Sequence, residues 1–388
     1  MTIIVDPAIR ILPDDHRIFV LHPGEGKRFY GDFQATDSVF LDLPGIAFSA
    51  PPEINDTNLR NKLRMARRIS IWRRRGSVLD DKPSRNPDDY AVTTVAVEAP
   101  RFVHEVHDLY AEAKAGDLII VPGKGYGSTV FFGEVMNNFD PDFTVESHRY
   151  PGESIPARKV KWLPINLAKQ QFNRRLIRLM QNRQAIIQVT REDDRREIYS
   201  HAYGDYVWKE SSGNLIRVTK DDIDLNDLNK AVDLTNYFAS QYLALKKGEL
   251  QLFLDMEFHE AIDAYYDKAY FGGVNVEIHS PGYFGRPMKK AAMAGYVSAM
   301  LALSGSGITA QEATDTNVLN SANAVVSICD MELETDIRQT MEIYANLHLW
   351  EDEVCPRREA TKDSVGLKTD VTIKKDSLAA GSSKFGHE

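Results

Sequence analysis

Two stretches of the chain are dense in arginine and lysine and contain no acidic residue. The first lies between Asp56 and Asp80, and the second runs from Arg158 to Arg191. Arginine offers a planar fork of hydrogen-bond donors to phosphate, and such contacts position a protein on a nucleic acid without reading its sequence. The side chains that we expect to contact nucleic acid are Arg64, Arg67, Arg68, Arg73, Arg74, Arg75, Lys124, Lys159, Lys161, Arg174, Arg175 and Arg178. Two alternatives remain open: these side chains dock onto a partner surface or onto the acidic half of the chain, or they form solvated helix faces.

Large aromatic side chains lie among these charges. Trp72, Tyr126 and Trp162 can form the walls of a pocket for a flipped or modified base, because a ring stacks on the face of any base. The alternative is that these rings belong to the core, as most aromatic residues in strands do.

Other candidate sites carry weaker signals. Carboxylates and a histidine crowd residues 255–267, where His259 and Asp263 stand one helical turn apart, a spacing that can chelate a metal. A solvated acidic helix face accounts for the same pattern. The glycine-rich segment 123–127 lacks the spacing of a phosphate-binding loop and is interpreted as a hairpin turn. We therefore predict neither a metal nor a cofactor, and we assign no catalytic residue.

Bulk composition limits the class of protein. The chain has 388 residues, of which 43% are hydrophobic, and a formal net charge of −9. Residues 1–200 carry a net charge of +2 and the remainder −11, which suggests that the two halves face different partners. Two cysteines, Cys329 and Cys355, form no disulfide framework, the start of the sequence lacks a leader pattern, and the longest apolar run, 291–303, is too short to cross a bilayer. We expect a cytoplasmic protein without a membrane segment.

The hydrophobic periodicity predicts strands in the first half and helices in the second. The strands are expected at 17–21, 39–43, 118–121, 129–135, 160–163 and 185–189, and the helices of this half at 57–75, 103–113 and 167–182. In the second half we expect a hairpin at 197–219, helices at 224–246, 249–268, 286–303 and 310–349, and one strand at 273–278. Residues 356–388 lack periodicity and are predicted to be a disordered tail.

The order of motifs in the first half resembles the N-terminal domain of Mrr-type restriction proteins. The motifs are FVLHPGEG at 19–26, GDLIIVP at 116–122, FGEV at 132–135, HR at 148–149, KVKWL at 159–163 and RQAI at 183–186. That domain is similar to PUA-like and EVE-like barrels. In related families such barrels hold an unusual or flipped base in an aromatic pocket.

The resemblance stops before the nuclease domain that follows in those restriction proteins. The nearest counterpart of its acid and Glu-x-Lys pair is Glu277-Ile278-His279, where a histidine replaces the lysine, so nuclease activity does not carry over. We expect an α+β protein with a PUA-like or EVE-like β-barrel domain at 1–195, a mainly helical domain at 196–355 and the tail.

The resemblance implies a sensor component of a prokaryotic restriction or anti-phage system that binds DNA, another nucleic acid or a modified nucleotide. The acidic half would then contact a partner protein or a second copy of the chain. Two alternatives are a divergent metal-dependent nuclease or nucleotide-processing enzyme with its site near 257–279, and a phage or plasmid structural protein.

Overall fold

A computed structural model provides the architecture. It describes residues 2–78, 81–91, 100–220, 223–271, 275–277, 282–288, 292–323 and 328–376. The chain mixes helices and strands, which confirms the α+β class. It divides into two compact units: one comprises residues 15–195, and the other combines residues 1–14 with residues 196–388. We call them the inserted unit and the outer unit.

The strands are short and are distributed over both units. They are β1 Thr2–Asp6, β2 Arg10–Leu12, β3 Ile18–Leu21, β4 Ser38–Val39, β5 Leu118–Pro122, β6 Thr129–Val135, β7 Thr144–Glu146, β8 Ser154–Pro156, β9 Arg158–Trp162, β10 Leu167–Ala168, β11 Ile186–Gln188, β12 Tyr206–Trp208, β13 Ser211–Val218, β14 Asn275–Glu277, β15 Gly282–Met288, β16 Thr316–Val318, β17 Leu367–Lys368 and β18 Thr372–Asp376.

The longest helices lie in the outer unit. The α-helices are α1 Tyr30–Ala35, α2 Thr57–Arg74, α3 Pro100–His107, α4 Arg174–Met180, α5 Glu192–Tyr203, α6 Leu225–Lys247, α7 Leu250–Leu254, α8 Phe258–Tyr265, α9 Met293–Ser304, α10 Ala310–Ala313, α11 Ile328–Leu347 and α12 Cys355–Val365. Short π-helical turns follow α3 and precede α12.

A seven-stranded sheet organises the inserted unit. Its order is β11-β3-β5-β6-β9-β4, and β10 also pairs with β6. The strand β5 is buried along its whole length, so it appears in the sequence as a continuous apolar run, whereas β6 alternates between buried and partly exposed residues. These two strands pair antiparallel across the glycine-rich turn, which confirms the predicted hairpin. The helices α2 and α3 contribute apolar side chains to the same core.

The outer unit contains two sheets together with its helices. A three-stranded sheet has the order β16-β1-β18, and a second sheet has the order β14-β15-β13-β12-β2, with β17 paired to β13. The expected mainly helical domain therefore carries more sheet than the pattern predicted. The helix α9 is buried on nearly all sides, and Gly295 there lets Ile9 pack at short range.

The first residues of the chain belong to the outer unit and not to the predicted 1–195 domain. The strand β1 lies between β16, to which it is parallel, and β18, to which it is antiparallel. Its side chains alternate, so that Ile3 and Val5 enter the core of the outer unit. Both partners lie more than 300 residues away along the chain, so local sequence patterns do not indicate this pairing.

The prediction of a disordered tail from residue 356 is wrong for the residues that the structure describes up to 376. The helix α12 carries Arg358, a buried arginine that donates hydrogen bonds to the carbonyl oxygens of Leu301 and Leu367 at 2.9 and 3.0 Å. Val365 is also buried, and β18 completes the sheet around β1. The apolar residues are few and widely spaced, yet Val365 and Leu367 both lie in the core of the outer unit. Residues 377–388 lie outside the described residues.

Within the described ranges, no helix combines the length and the apolar character that crossing a membrane requires.

Candidate functional site

The helix α2 separates an apolar face from a cationic one. The carboxylate of Asp56 accepts a hydrogen bond from the backbone N–H of Asn58 at 2.8 Å and so caps the first turn. The buried side chains of this helix include Leu59, Leu63, Ala66 and Ile69, which recur at helical spacing. The arginines between them are thereby held on the outer side of a helix fixed to the core.

A cavity of about 290 Å³ opens beside this cationic face, and we call it the arginine cavity. Its lining consists of Asp42, Arg60, Leu63, Arg64, Arg67, Ser70, Arg74, Phe102 and Val103. Four cations thus face one carboxylate. Arg60 and Arg67 are exposed and make no ion pair with any described residue. Their charge is available to a ligand.

A second cavity of about 630 Å³ shares Asp42 and Phe102 with the first, and we call it the lysine cavity. Its other lining residues are His22, Gly24, Glu25, Gly26, Lys27, Leu41, Lys124, Asn182, Arg183, Gln184 and Ala185. The only acid in this second list, Glu25, forms an exposed ion pair with Arg74 at 2.7 Å. The two cavities therefore form one continuous cationic surface with an aromatic ring at their junction.

The carboxylate of Asp42 is embedded in a hydrogen-bond network at this junction. Its Oδ2 atom pairs with the guanidinium of Arg28 and accepts from the hydroxyl of Ser70 at 3.1 Å. Its Oδ1 atom accepts from the hydroxyl of Tyr150 at 2.5 Å. Burial, reinforced by the Asp42 charge, raises the pKa of Tyr150 well above its ordinary value, so this hydroxyl stays a donor. Because Arg28 neutralises Asp42, the charge left in the cavities is positive.

His22 and Lys27 line the lysine cavity and Lys169 lies near them, and we call these three residues the His22 cluster. The Nζ atom of Lys27 contacts Nδ1 of His22, and the buried Nζ atom of Lys169 donates to the carbonyl oxygen of Gly123 at 2.5 Å. Burial, together with the charges of Lys27 and Lys169, lowers the pKa of His22 to about 3. Burial and the charge of Lys169 lower the pKa of Lys27 to about 8. At neutral pH the histidine is therefore uncharged, while Lys27 is still mainly protonated.

The structure places the predicted basic residues in several different environments. Arg64, Arg67 and Arg74 line the arginine cavity and Lys124 lines the lysine cavity, whereas Arg68 and Arg75 are exposed outside both linings. Arg73 pairs with Glu153 at 3.5 Å and packs on the ring of Trp72 at 4.7 Å. Arg175 pairs with Asp194 at 2.5 Å. The remaining predicted cations of the second basic stretch are exposed, namely Lys159, Lys161, Arg174 and Arg178.

The three predicted aromatic walls have separate surroundings, and none of them lines either cavity. The indole of Trp72 is 8% exposed and donates to the carbonyl oxygen of Val78 at 2.6 Å, as expected of a structural residue. The ring of Trp162 packs against Phe131 at 5.9 Å. Tyr126 is 58% exposed in the turn between β5 and β6. The aromatic residue at the cavity junction is instead Phe102.

The residues that sequence reasoning missed are those brought together by distant contacts. Phe102 lies on α3, and Asp42 acquires its position through Arg28 and Tyr150, which lie far apart in the chain. The available signal was the segment 22–26, in which a proline and two glycines follow His22 and precede Lys27.

The acidic stretch near residue 260 does not assemble a metal site in the part of the chain that the structure describes. No group of three histidine, cysteine, aspartate or glutamate side chains there is arranged to hold a metal ion. Glu257, His259, Glu260 and Asp263 are exposed on or beside α8. The residues 278–281, which include His279, lie outside the described ranges.

Comparison of the chain with models of protein families, with curated proteins and with solved structures found no match.

Proposed function

We propose that the inserted unit binds nucleic acid or a modified nucleotide, as the sensor component of a prokaryotic restriction or anti-phage system, and that its fold is PUA-like or EVE-like. The observation that carries the binding proposal is the pair of adjoining cationic cavities with Phe102 at their junction. The motif order in residues 19–186 supports the fold and the defence role. A neighbouring gene for a nuclease, helicase or methyltransferase is the expectation that accompanies this role.

Each part of the junction has a role in such binding. Arginines with unpaired charge, such as Arg60 and Arg67, contact phosphates. Phe102 is half-buried, so its ring can stack on a base while its inner edge stays anchored to the core. Oδ1 of Asp42 accepts from Tyr150 alone among the described residues, which leaves acceptor capacity for the amino group of a base.

The outer unit supplies the acidic part of the chain. Its excess of acidic residues disfavours contact with nucleic acid phosphates. We propose that it contacts a partner protein or a second copy of the chain, which would couple recognition by the inserted unit to a response.

The test compares two pairs of arginines on α2. The variant Arg60→Ala/Arg67→Ala removes two unpaired cations from the cavity lining. The matched control Arg68→Ala/Arg75→Ala removes two exposed cations of the same helix outside both linings. Fluorescence titration of labelled duplex and single-stranded DNA by the full chain, over a series of salt concentrations, measures the affinity and its salt dependence.

We expect the cavity variant to bind more weakly and to flatten the plot of log affinity against log salt by roughly 1.8 for duplex, since each lost phosphate contact contributes about 0.9. The control should leave both quantities nearly unchanged, and both variants should keep the native melting temperature because all four side chains are exposed. Equal effects in the two variants, or no binding of DNA by the native chain, would contradict the proposal.

A further inference from the structure

The geometry points to a binding site for a terminal phosphate, a phosphomonoester dianion, in the lysine cavity at the His22 cluster. The group would be carried by a mononucleotide or by the end of a nucleic acid strand. This inference deepens the proposed function and rests on it.

The His22 cluster lacks a counter-charge among the described residues. Lys27 and Lys169 lie close enough to lower the pKa of His22 together, and no described carboxylate forms an ion pair with either lysine. Like charges held near each other in a partly buried site repel strongly, and native proteins normally pair them. The two acids in the cavity lining are already engaged, Asp42 by Arg28 and Glu25 by Arg74. An anion from outside the chain therefore completes the cluster.

The imidazole of His22 offers a ligand a further hydrogen-bonding atom. His22 is 8% exposed, and its Nε2 atom makes no well-aligned hydrogen bond among the described residues, although the backbone of Leu179 interacts with the ring. Because Nδ1 of the neutral ring faces the ammonium of Lys27, the ring hydrogen lies on Nε2, which can donate to one of the three terminal oxygens of a phosphomonoester. The histidine also lines the cavity, so this atom belongs to the wall that a ligand meets.

The backbone is strained at Lys27, which supplies one of the charges. Lys27 has a φ of 62°, in the left-handed region that glycine adopts readily and other residues rarely adopt. Gly24 and Gly26 in the same turn occupy this region without strain. A lysine in this conformation indicates that its ammonium group, and not its backbone preference, is what the position requires.

The size and charge of the site favour a phosphate at the end of a nucleotide over one inside a strand. A volume of about 630 Å³ accommodates a nucleotide. The buried Lys169 and the partly buried Lys27 match the two negative charges of a phosphomonoester, whereas a phosphodiester carries one. Phe102 at the junction with the arginine cavity lies where the attached base or the following nucleotides would continue.

The experiment uses the full chain and simple probes: AMP, adenosine, and a short single-stranded oligonucleotide with either a 5′-phosphate or a 5′-hydroxyl. Lys27→Met removes the ammonium group and keeps the length of the side chain. Lys209→Met is the matched control, because Lys209 also has a left-handed backbone, with a φ of 54°, but lies in the outer unit. Melting temperature and titration are measured for each protein with each probe.

We expect AMP, but not adenosine, to raise the melting temperature of the native chain and of Lys209→Met. Lys27→Met should weaken AMP binding by roughly ten- to a hundredfold, as expected when a charged hydrogen-bond donor is lost. A preference for the 5′-phosphorylated strand identifies strand ends as the source of the phosphate. AMP binding without binding of either strand supports the phosphate site and rejects the nucleic acid part of the proposed function.

Equal binding of both strands together with no response to AMP overturns the inference and leaves the proposed function intact. A full AMP response in Lys27→Met overturns it as well. If Lys27→Met lowers the melting temperature without ligand, Lys124→Met decides the matter, because Lys124 is an exposed lining residue whose loss leaves the fold intact. An unchanged AMP affinity in Lys124→Met then overturns the inference.

Discussion

Substitution of Asp205 by asparagine should change how the stability of the outer unit depends on pH. The carboxylate is 1% exposed, its Oδ2 atom accepts from the hydroxyl of Ser298 at 2.5 Å, and its Oδ1 atom accepts from the backbone N–H of Leu215 at 2.7 Å. No described cation forms an ion pair with it. Burial therefore dominates and raises the pKa of Asp205 from 3.8 to about 7, although both hydrogen bonds oppose the shift.

The direction of the pH effect follows from the number of protons that the folded and the unfolded chain bind. Between pH 4 and pH 7 the folded chain keeps the proton on Asp205, whereas the unfolded chain releases it. The free energy of unfolding then falls as the pH rises through this range, by about 1.4 kcal/mol per pH unit. Across about three units the loss is about 4 kcal/mol, and it is complete above pH 7. Asparagine has the same shape and no charge to bury, so Asp205→Asn should retain the stability that the native chain loses.

Hydrogen exchange of the α9 amides measures this stability within the outer unit alone. Corrected for intrinsic exchange rates, the protection of these amides in the native chain should fall roughly a thousandfold more between pH 4 and pH 8 than in Asp205→Asn, since about 1.4 kcal/mol corresponds to tenfold. Asp263→Asn, an exposed site in the same unit, should behave like the native chain. The same pH dependence in the native chain and in Asp205→Asn would refute the argument.

Two further predictions concern the cavity junction and the C-terminal strands. Phe102→Ala should weaken oligonucleotide binding by roughly ten- to a hundredfold, because a stacking surface is lost, and should lower the melting temperature less than Phe33→Ala, whose ring is fully buried. Titration and thermal melts check this, and unchanged binding would contradict it. A chain ending at Gly366 should melt at a lower temperature than one ending at Asp376, because it lacks β17 and β18. Calorimetry checks this, and equal melting temperatures would show that these strands contribute nothing.

Sequence patterns predicted the elements whose stability is mainly local. The hairpin of β5 and β6, the capped helix α2 and the long helix α6 lie within a few residues of their expected limits. Periodicity identified them because one face of each is buried and the turn residues match the turn.

Elements defined by distant partners were mispredicted. The expected helix at 310–349 is interrupted by β16, which becomes a strand because it pairs with β1. Likewise, β15 occupies the start of the expected helix at 286–303 because it pairs with β13. The expected helix at 167–182 begins with β10, which pairs with β6, and becomes helical only at Arg174. In each case tertiary pairing overrode local preference.

The candidate site likewise has features that the sequence predicts and features that depend on distant contacts. The density of arginine on α2 was visible in the sequence, but periodicity alone does not separate Arg60 and Arg67, which line the cavity, from Arg73, which is bound to Glu153. The cavity depends on contacts among β-sheet turns, α2 and α3. Pairings such as Asp42 with Arg28 and Tyr150 have no local signature.

The position of β1 determines the order in which the chain can fold during its synthesis. This strand leaves the ribosome more than 300 residues before its partners β16 and β18, which begin at Thr316 and Thr372. At about 5–20 residues per second the delay before β18 appears is roughly 20–70 s. The inserted unit is complete at residue 195, so it can reach its native state before β16 and β18 are available to pair with β1. Throughout that interval both edges of β1 lack the strands that cover them in the folded chain, and an unpaired strand edge can pair with another chain.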